Sequence, residues 1–133
     1  MCSAAVKNGI TKAIDFSIIT PSFNPGADLI RCVASVCDQN GVEVAHIIQD
    51  GGSRDGTLDW VCEDSRVLAC VENDTGMYQA INRGLSRSRG EFAAQLNADE
   101  QYLPGALKIV IDYFRANPEV QVIFTDTVVI DQE

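Results

Sequence analysis

The chain has 133 residues, of which 46% are hydrophobic and 22% are charged. This is enough apolar material for one buried core and too little charge for a disordered chain. With 10 Lys and Arg against 19 Asp and Glu, the net charge of −9 repels phosphate backbones and anionic lipid, which argues against nucleic-acid partners and polybasic membrane attachment.

Short apolar runs alternate along the chain with segments whose apolar residues recur at helical spacing. In chain order we predict a strand at 16–20, a helix at 29–36, a strand at 44–48, a short helix at 58–62, a strand at 67–71, a helix at 77–85, a strand at 92–96, a helix at 104–116, a strand at 120–124 and a short strand at 128–130. Ser53 or Asp55 is the predicted cap of the second helix, and Asp74 or Thr75 that of the third.

This alternation predicts an α/β fold, with a mostly parallel sheet and helices on both of its faces. Right-handed crossovers bring the carboxyl ends of the strands to one edge, where open α/β sheets bind their ligands. Polar residues cluster at four of these ends, at 20–24, 50–55, 73–74 and 97–100. The sequence therefore predicts a ligand site built from four separate segments.

Several common ligand and catalytic motifs are absent from the sequence. It contains neither G-x-G-x-x-G after the first strand nor G-x-x-x-x-G-K-[ST], which excludes the dinucleotide fingerprint and the P-loop. The only histidine, His46, lies in the middle of a predicted strand and is interpreted as a core residue, so a Ser-His-Asp triad is not expected. No pair of Cys or His residues has the spacing of a zinc site.

The sequence also lacks the marks of secretion and of membrane insertion. Residues 1–15 contain no apolar core of a signal peptide, and no apolar run approaches the roughly 20 residues that cross a bilayer. Five cysteines without a C-x-x-C pair favour reduced thiols over a disulfide framework. These features predict a cytoplasmic protein without a transmembrane segment, with the inner face of the membrane as a second place of action.

Carboxylates at the strand ends are the remaining candidates for chemistry. Asp99, with Glu100 beside it, follows an apolar strand, and such oxygen ligands suit Mg²⁺ or Mn²⁺ when substrate phosphates complete the coordination shell. Asp50 ends the second strand next to two glycines, where it could accept a hydrogen bond from the ring N–H of a uracil-like base. The alternative is that Asp50 and Asp55 only cap a turn and a helix.

Four motifs together resemble those of one enzyme family. They are IITPSFN at 18–24, QDGGSRDGT at 49–57, NDTGMYQAINRG at 73–84 and LNADE at 96–100. In this order and spacing they resemble the inverting family 2 glycosyltransferases of the GT-A fold, a Rossmann-like fold of nucleotide-diphospho-sugar transferases, over residues 16–131. By this resemblance residues 1–15 are an N-terminal extension and residues 16–133 are the donor-binding portion, truncated at the C-terminus, with the acceptor portion absent.

The resemblance implies roles for individual residues. The implied donor-binding residues are Thr20, Pro21, Phe23, Asp50, Gly52, Asp74, Gly76, Asn82, Asn97 and Ala98, with Asp99 as the ligand of a Mn²⁺ or Mg²⁺ ion. The first three would line the nucleoside pocket and Asp50 would hold the base, whereas Asp74 and Asn82 would lie near the ribose, the phosphates or the sugar. Arg83 would compensate phosphate charge, or else cover an exposed helix face.

The implied activity is metal-assisted transfer of a sugar, with inversion, from a nucleotide-diphosphate donor to the hydroxyl of a glycan or lipid-linked acceptor. A UDP-sugar is favoured as the donor, and polysaccharide or cell-envelope glycan synthesis as the process. No residue matches the family's general base, so the catalytic residue is unknown and we expect donor binding but poor transfer. We also expect an exposed apolar face, and with it self-association.

Two other classes of protein remain as alternatives. One is a non-catalytic module of the same fold that binds a nucleotide or takes part in assembly. The other is a nucleotidyltransferase, which usually needs a basic Gly-rich loop after the first strand, and residues 22–27 contain neither Lys nor Arg.

Overall fold

The computed structural model describes residues 12–130, in which strands and helices alternate. The elements are β1 (Phe16–Ser22), α1 (Asp28–Cys37), β2 (Val44–Asp50), α2 (Thr57–Val61), β3 (Val67–Val71), α3 (Met77–Ser86), β4 (Phe92–Gln95) and α4 (Ala106–Ala116). Each matches an element that the apolar pattern predicts. β1 and β2 each run two residues further than predicted, because Pro21 pairs with Gln49 and Ser22 with Asp50 at the end of the ladder.

The four strands form one sheet in the order β3-β2-β1-β4, and all three pairings are parallel. β1 lies in the interior of the sheet, paired with β2 on one side and with β4 on the other. Because the strands are parallel, their carboxyl ends meet at the same edge. The predicted parallel α/β fold is therefore confirmed.

Helices cover both faces of the sheet. On one face, Ile18 of β1 belongs to the main core cluster together with Val33 of α1 and Ile111 of α4. On the other face α3 lies directly against Ile19, since successive side chains of a strand point to opposite sides. A Cβ added at Gly84 would come 2.4 Å from Cγ2 of Ile19, so only glycine lets α3 approach this closely.

The predicted N-cap positions are wrong, because Gly56 and Gly76 occupy those positions in α2 and α3. Asp55, one of the two candidates for α2, nevertheless binds the N–H of Thr57, the first residue of that helix, at 3.1 Å. Asp55 also accepts a hydrogen bond from the backbone N–H of Gly26 at 2.7 Å. Its carboxylate therefore ties two loops together at the edge of the sheet.

The predicted strands at 120–124 and 128–130 are also wrong, because the structure has no strand in residues 120–130. This stretch is rich in strand-forming residues, yet Phe124 is 93% exposed and Ile130 is 76% exposed. A strand needs a partner to pair with and a surface to pack against. Within the described part of the chain this stretch has neither.

Three further predictions concern His46, the cysteines and membrane-spanning helices. His46 is a core residue, as predicted, and is only 2% exposed. Cys32, Cys37 and Cys62 are free, whereas Cys70 is disulfide-bonded, so the prediction of reduced thiols is wrong at that position. None of the helices in residues 12–130 is both long and apolar enough to span a membrane.

Candidate functional site

A cleft of about 850 Å³ opens at the edge where the parallel strands end. This is a typical size for a small-molecule site, and its position is the one expected for open α/β sheets. Its lining residues are Pro21, Ser22, Phe23, Asn24, Pro25, Asp28, Gly51, Asp74, Thr75, Gly76, Met77, Ala80, Asn97, Ala98 and Asp99. Four separate segments therefore meet in one cleft.

The loop after β1 forms the first wall of the cleft and is tied to the loop after β2. The backbone N–H of Asn24 donates to Oγ of Ser53 (2.8 Å), and Oδ1 of Asn24 accepts from the N–H of Arg54 (2.7 Å). Asn24 has a φ of 48°, a left-handed conformation that asparagine tolerates better than most residues. This turn leaves the Phe23 ring 67% exposed on the cleft wall.

Asp50 organises the second loop from inside the protein. Its carboxylate is 0% exposed and accepts four hydrogen bonds, from Oγ of Ser22 (2.8 Å), Oγ of Ser53 (2.6 Å), and the N–H groups of Gly52 (2.8 Å) and Ser53 (2.7 Å). These bonds use the full acceptor capacity of a carboxylate. In this arrangement Asp50 holds the turn, and it does not face a ligand as the base-binding prediction requires.

Three other predicted donor-binding residues do not line the cleft. Thr20 is fully buried, with its Oγ1 2.8 Å from Nε2 of His46. Asn82 is exposed on α3 outside the cleft. Gly52 does not line the cleft, whereas its neighbour Gly51 does. In each case the motif marks the right segment, but the direction of the side chain depends on strand and helix geometry that the motif does not specify.

Asp74 is the carboxylate that the third segment brings to the cleft. Its Oδ1 accepts a hydrogen bond from the N–H of Gly76 at 2.9 Å. A Cβ added at Gly51 would come 2.8 Å from Oδ2 of Asp74, so the missing side chain at Gly51 makes room for this carboxylate. Gly76 has a φ of 140°, which admits glycine and little else, and it leads directly into α3.

The segment after β4 presents Asp99 to the cleft. The N–H of Asn97 donates to Oε2 of Glu100 (3.0 Å), and Oδ1 of Asn97 accepts from Nε2 of Gln95 (2.9 Å). Glu100 therefore closes this turn. Asp99 is exposed, and none of the hydrogen bonds or ion pairs among the described residues uses its carboxylate.

Asp99 fits one kind of divalent metal site. The described residues contain no group of three or more His, Cys, Asp and Glu that could hold an ion. Mg²⁺ and Mn²⁺ sites that take one or two carboxylates from the protein, and their other ligands from substrate phosphates and water, need no such group. The donor set therefore suits a metal that arrives with a phosphorylated substrate, and does not suit a closed structural site.

The cleft is acidic, which the motifs alone do not reveal. Asp28, Asp74 and Asp99 all line it, and no Lys or Arg does so among the described residues. Asp28 forms an ion pair with Arg31 on the outside of α1. The sequence did not name eight of the lining residues as site residues, namely Ser22, Asn24, Pro25, Asp28, Gly51, Thr75, Met77 and Ala80. The proximity of 75–80 to a helix start was a usable signal.

Comparison with known proteins gives a consistent result. Residues 17–132 match the family described as Glycosyl transferase family 2. The chondroitin synthase of Escherichia coli is 29% identical over 121 residues, which are 88% of this chain and 18% of that protein. The chain spans between 13% and 40% of the length of the curated relatives that it matches.

Two solved structures share the fold. The crystal structure of S. aureus TarS 1-349 in complex with UDP-GlcNAc matches with a TM-score of 0.71 and 22% identity, over 79% of this chain and 32% of that one. The mannosyltransferase PcManGT from Pyrobaculum calidifontis, in complex with GDP-Man and Mn²⁺, has a TM-score of 0.71 and 20% identity, over 83% of this chain and 34% of that one. The predicted GT-A fold is confirmed by these similarities.

Proposed function

The chain belongs to glycosyl transferase family 2, and we propose from this membership that it is the donor-binding part of a sugar-transferring enzyme. The proposed enzyme transfers a sugar from a nucleoside-diphosphate sugar to an acceptor hydroxyl, with inversion. The observation that carries the proposal is the cleft itself, which places exposed Asp99 and half-buried Asp74 at the carboxyl ends of parallel strands. We propose a glycan or lipid-linked acceptor and a role in polysaccharide or cell-envelope glycan synthesis.

The base contact is proposed for Asp74, in place of Asp50. Phe23 and Pro21 offer the cleft an apolar wall on which a base ring can stack. Oδ1 of Asp74 accepts one hydrogen bond from Gly76 and Oδ2 accepts none among the described residues, so this carboxylate can accept the ring N–H of a base. We propose a UDP-sugar as the donor, the nucleotide class that is bound in the TarS structure.

A diphosphate would occupy this acidic cleft only with a counter-charge. Asp99 would hold a Mn²⁺ or Mg²⁺ ion, and PcManGT was solved with Mn²⁺. Such an ion supplies positive charge that stabilises the departing diphosphate. The start of α3 adds the backbone N–H of Met77, which lines the cleft and favours phosphate oxygens, whereas the N–H of Gly76 is bonded to Asp74.

The metal role of Asp99 is tested by calorimetric titration of UDP into the chain, with and without Mn²⁺. In Asp99→Asn we expect the Mn²⁺-dependent gain in UDP affinity to fall by at least about tenfold, because the neutral amide holds a divalent ion poorly. Asp112→Asn is the matched control, since Asp112 is an exposed carboxylate of α4 paired with Lys108. Equal Mn²⁺ dependence in Asp99→Asn and in the unchanged chain would contradict the proposal.

The second candidate is a non-catalytic module that binds nucleotide without transferring sugar. It is favoured by the cleft itself, because the apolar wall of Pro21 and Phe23 and the carboxylate of Asp74 suffice to bind the base of a nucleotide. UDP binding that is indifferent to both Mn²⁺ and Asp99→Asn would support the module over the enzyme.

A further inference from the structure

Asp74 lies in a loop whose position is fixed by contacts of other residues. Residues 72–76 connect β3 to α3, and Asp74 contributes only a local bond to Gly76. The outer contacts of this loop come from α3. Nη1 of Arg83 donates to the carbonyl of Asn73 at 2.9 Å and to that of Glu72 at 3.4 Å, while its Nε lies 3.5 Å from Oε2 of Glu72.

We propose that Arg83 is a positioning residue for donor binding, which sets the place of Asp74 in the cleft through the backbone of Asn73. The inference rests on the proposed function, because it assigns a purpose to the contact between Asp74 and a nucleotide. Arg83 does not line the cleft. It therefore acts on a ligand only through the loop that it holds, and not by compensating phosphate charge directly.

The backbone of Arg83 lies in a tightly packed part of α3. This residue precedes Gly84, whose missing side chain lets α3 press against Ile19, and Ala80, one turn earlier on the helix, is only 2% exposed. The distance between this helix and the sheet is therefore fixed by direct packing. A guanidinium anchored there can hold the carbonyl groups at the end of β3 in one position.

The loop that Arg83 holds is also closely packed against Gly51 and Gly52. A Cβ added at Gly52 would come 2.7 Å from Oδ1 of Asn73, and the carboxylate of Asp74 fills the space over Gly51. A shift of the Asn73 carbonyl thus moves two side chains that fit against two glycines. Asp74 is the one of the two that lines the cleft.

Arg87 provides a matched control on the same helix. It forms an ion pair with Glu72 and donates to Oε1 of Gln49 (3.1 Å) and to the carbonyl of Arg83 (3.0 Å). It shares Glu72 with Arg83 but makes no contact with the carbonyl of Asn73. Replacing either arginine by Met removes the same charge, so that a difference between the two variants reports the contact to the loop.

The first test measures UDP affinity in Mn²⁺ by calorimetry. We expect Arg83→Met to weaken UDP binding about tenfold, and Arg87→Met to change it by less than about twofold. In Arg83→Lys, which keeps the charge and one donor, we expect an intermediate loss. In an Asp74→Asn background, Arg83→Met should cost little more, because the two residues act in series. Full additivity of the two losses would overturn the inference.

The second test needs no ligand and separates this inference from the proposed function. The N–H of Gly76 is protected by Oδ1 of Asp74, so displacement of the loop in Arg83→Met should speed its hydrogen exchange at least about tenfold, with no such change in Arg87→Met. Unchanged exchange at Gly76 would overturn the inference whatever UDP does. Two results together would separate the two claims: no UDP binding by the unchanged chain, and faster exchange at Gly76 in Arg83→Met. They would contradict the proposed function and still support the positioning of the loop by Arg83.

Discussion

Burial decides the charge of His46. The ring lies between the sheet and α1, 2% exposed, with its Nε2 2.8 Å from Oγ1 of Thr20 and its Nδ1 without a partner among the described residues. Burial lowers the pKa of His46 from 6.5 to about 4, and the nearby carboxylate of Asp64 only partly offsets this. The imidazole is therefore neutral at pH 7 and belongs to the core.

This pKa predicts how stability changes with pH. Between pH 6.5 and 4 the unfolded chain binds a proton at His46 that the folded chain does not, so stability falls as pH falls through this window. We expect a contribution of up to about 1.4 kcal/mol per pH unit to the free energy of unfolding. Urea unfolding of the chain and of His46→Gln at pH 6.5, 5.5 and 4.5 measures it. The same slope in both proteins would contradict the assignment.

Asp50 and Asp74 illustrate how partners determine the role of a carboxylate. Both stand in motifs at strand ends, and the sequence assigns the base contact to Asp50 and a place near the ribose, the phosphates or the sugar to Asp74. The structure separates them, since Asp50 is fully buried and accepts four hydrogen bonds, whereas Asp74 lines the cleft with Oδ2 over Gly51. The turn-capping alternative for Asp50 is thus the one that the structure supports.

At the scale of the elements, the contact between α3 and β1 gives the sharpest prediction. Gly→Ala inside a helix normally stabilises by roughly 1 kcal/mol. In Gly84→Ala we expect the opposite sign, a loss of about 2 kcal/mol in the free energy of unfolding, because the new Cβ would meet Cγ2 of Ile19 at 2.4 Å. Urea unfolding provides the measurement.

The control is a second change on the facing strand. Ile19→Ala removes both atoms that the new Cβ would approach within 3.1 Å. The double variant should therefore lose less stability than the sum of the two single losses. A stabilising effect of Gly84→Ala alone would show that α3 does not lie this close to β1.

How well each element could be predicted depends on what forms it. β1 to β4 could be predicted because each is a short apolar run whose pairing partner lies within the chain, and the predicted sheet followed from their alternation with helices. The stretch 120–130 has the same local pattern but no partner strand within residues 12–130, so its pattern was misleading. The N-caps of α2 and α3 were missed because both positions are glycines with a positive φ, 89° at Gly56 and 140° at Gly76.

The same distinction applies to the site. The edge of the sheet and four of its segments could be predicted, since parallel topology alone brings the strand ends together. The directions of Thr20, Asp50 and Asn82 could not, because each depends on which face of its element meets the core. Arg83 was interpreted as a phosphate contact or a surface residue, and its bond to the Asn73 carbonyl depends on the helix packing at Gly84.

At the scale of the whole molecule, the negative charge of the chain extends into the cleft. A chain with a net charge of −9 has a cleft lined by three carboxylates and by no Lys or Arg among the described residues. Under the proposed function, a diphosphate in such a cleft would need a cation beside it. The cytoplasmic location, the self-association and the division into residues 1–15 and 16–133 stay predictions.

The most direct test of this account is an NMR titration of the ¹⁵N-labelled chain with UDP and a trace of Mn²⁺, whose unpaired electrons broaden the signals of nearby nuclei. We predict UDP-dependent broadening of the amides of Gly76, Met77, Ala98 and Asp99, four of the residues that line the cleft. The amides of Glu43 and Glu91, which precede β2 and β4 at the opposite edge of the sheet, should broaden much less. Broadening that is unaffected by UDP, or that falls away from the cleft, would contradict the claim that this chain holds a metal-bound nucleotide at the carboxyl edge of its sheet.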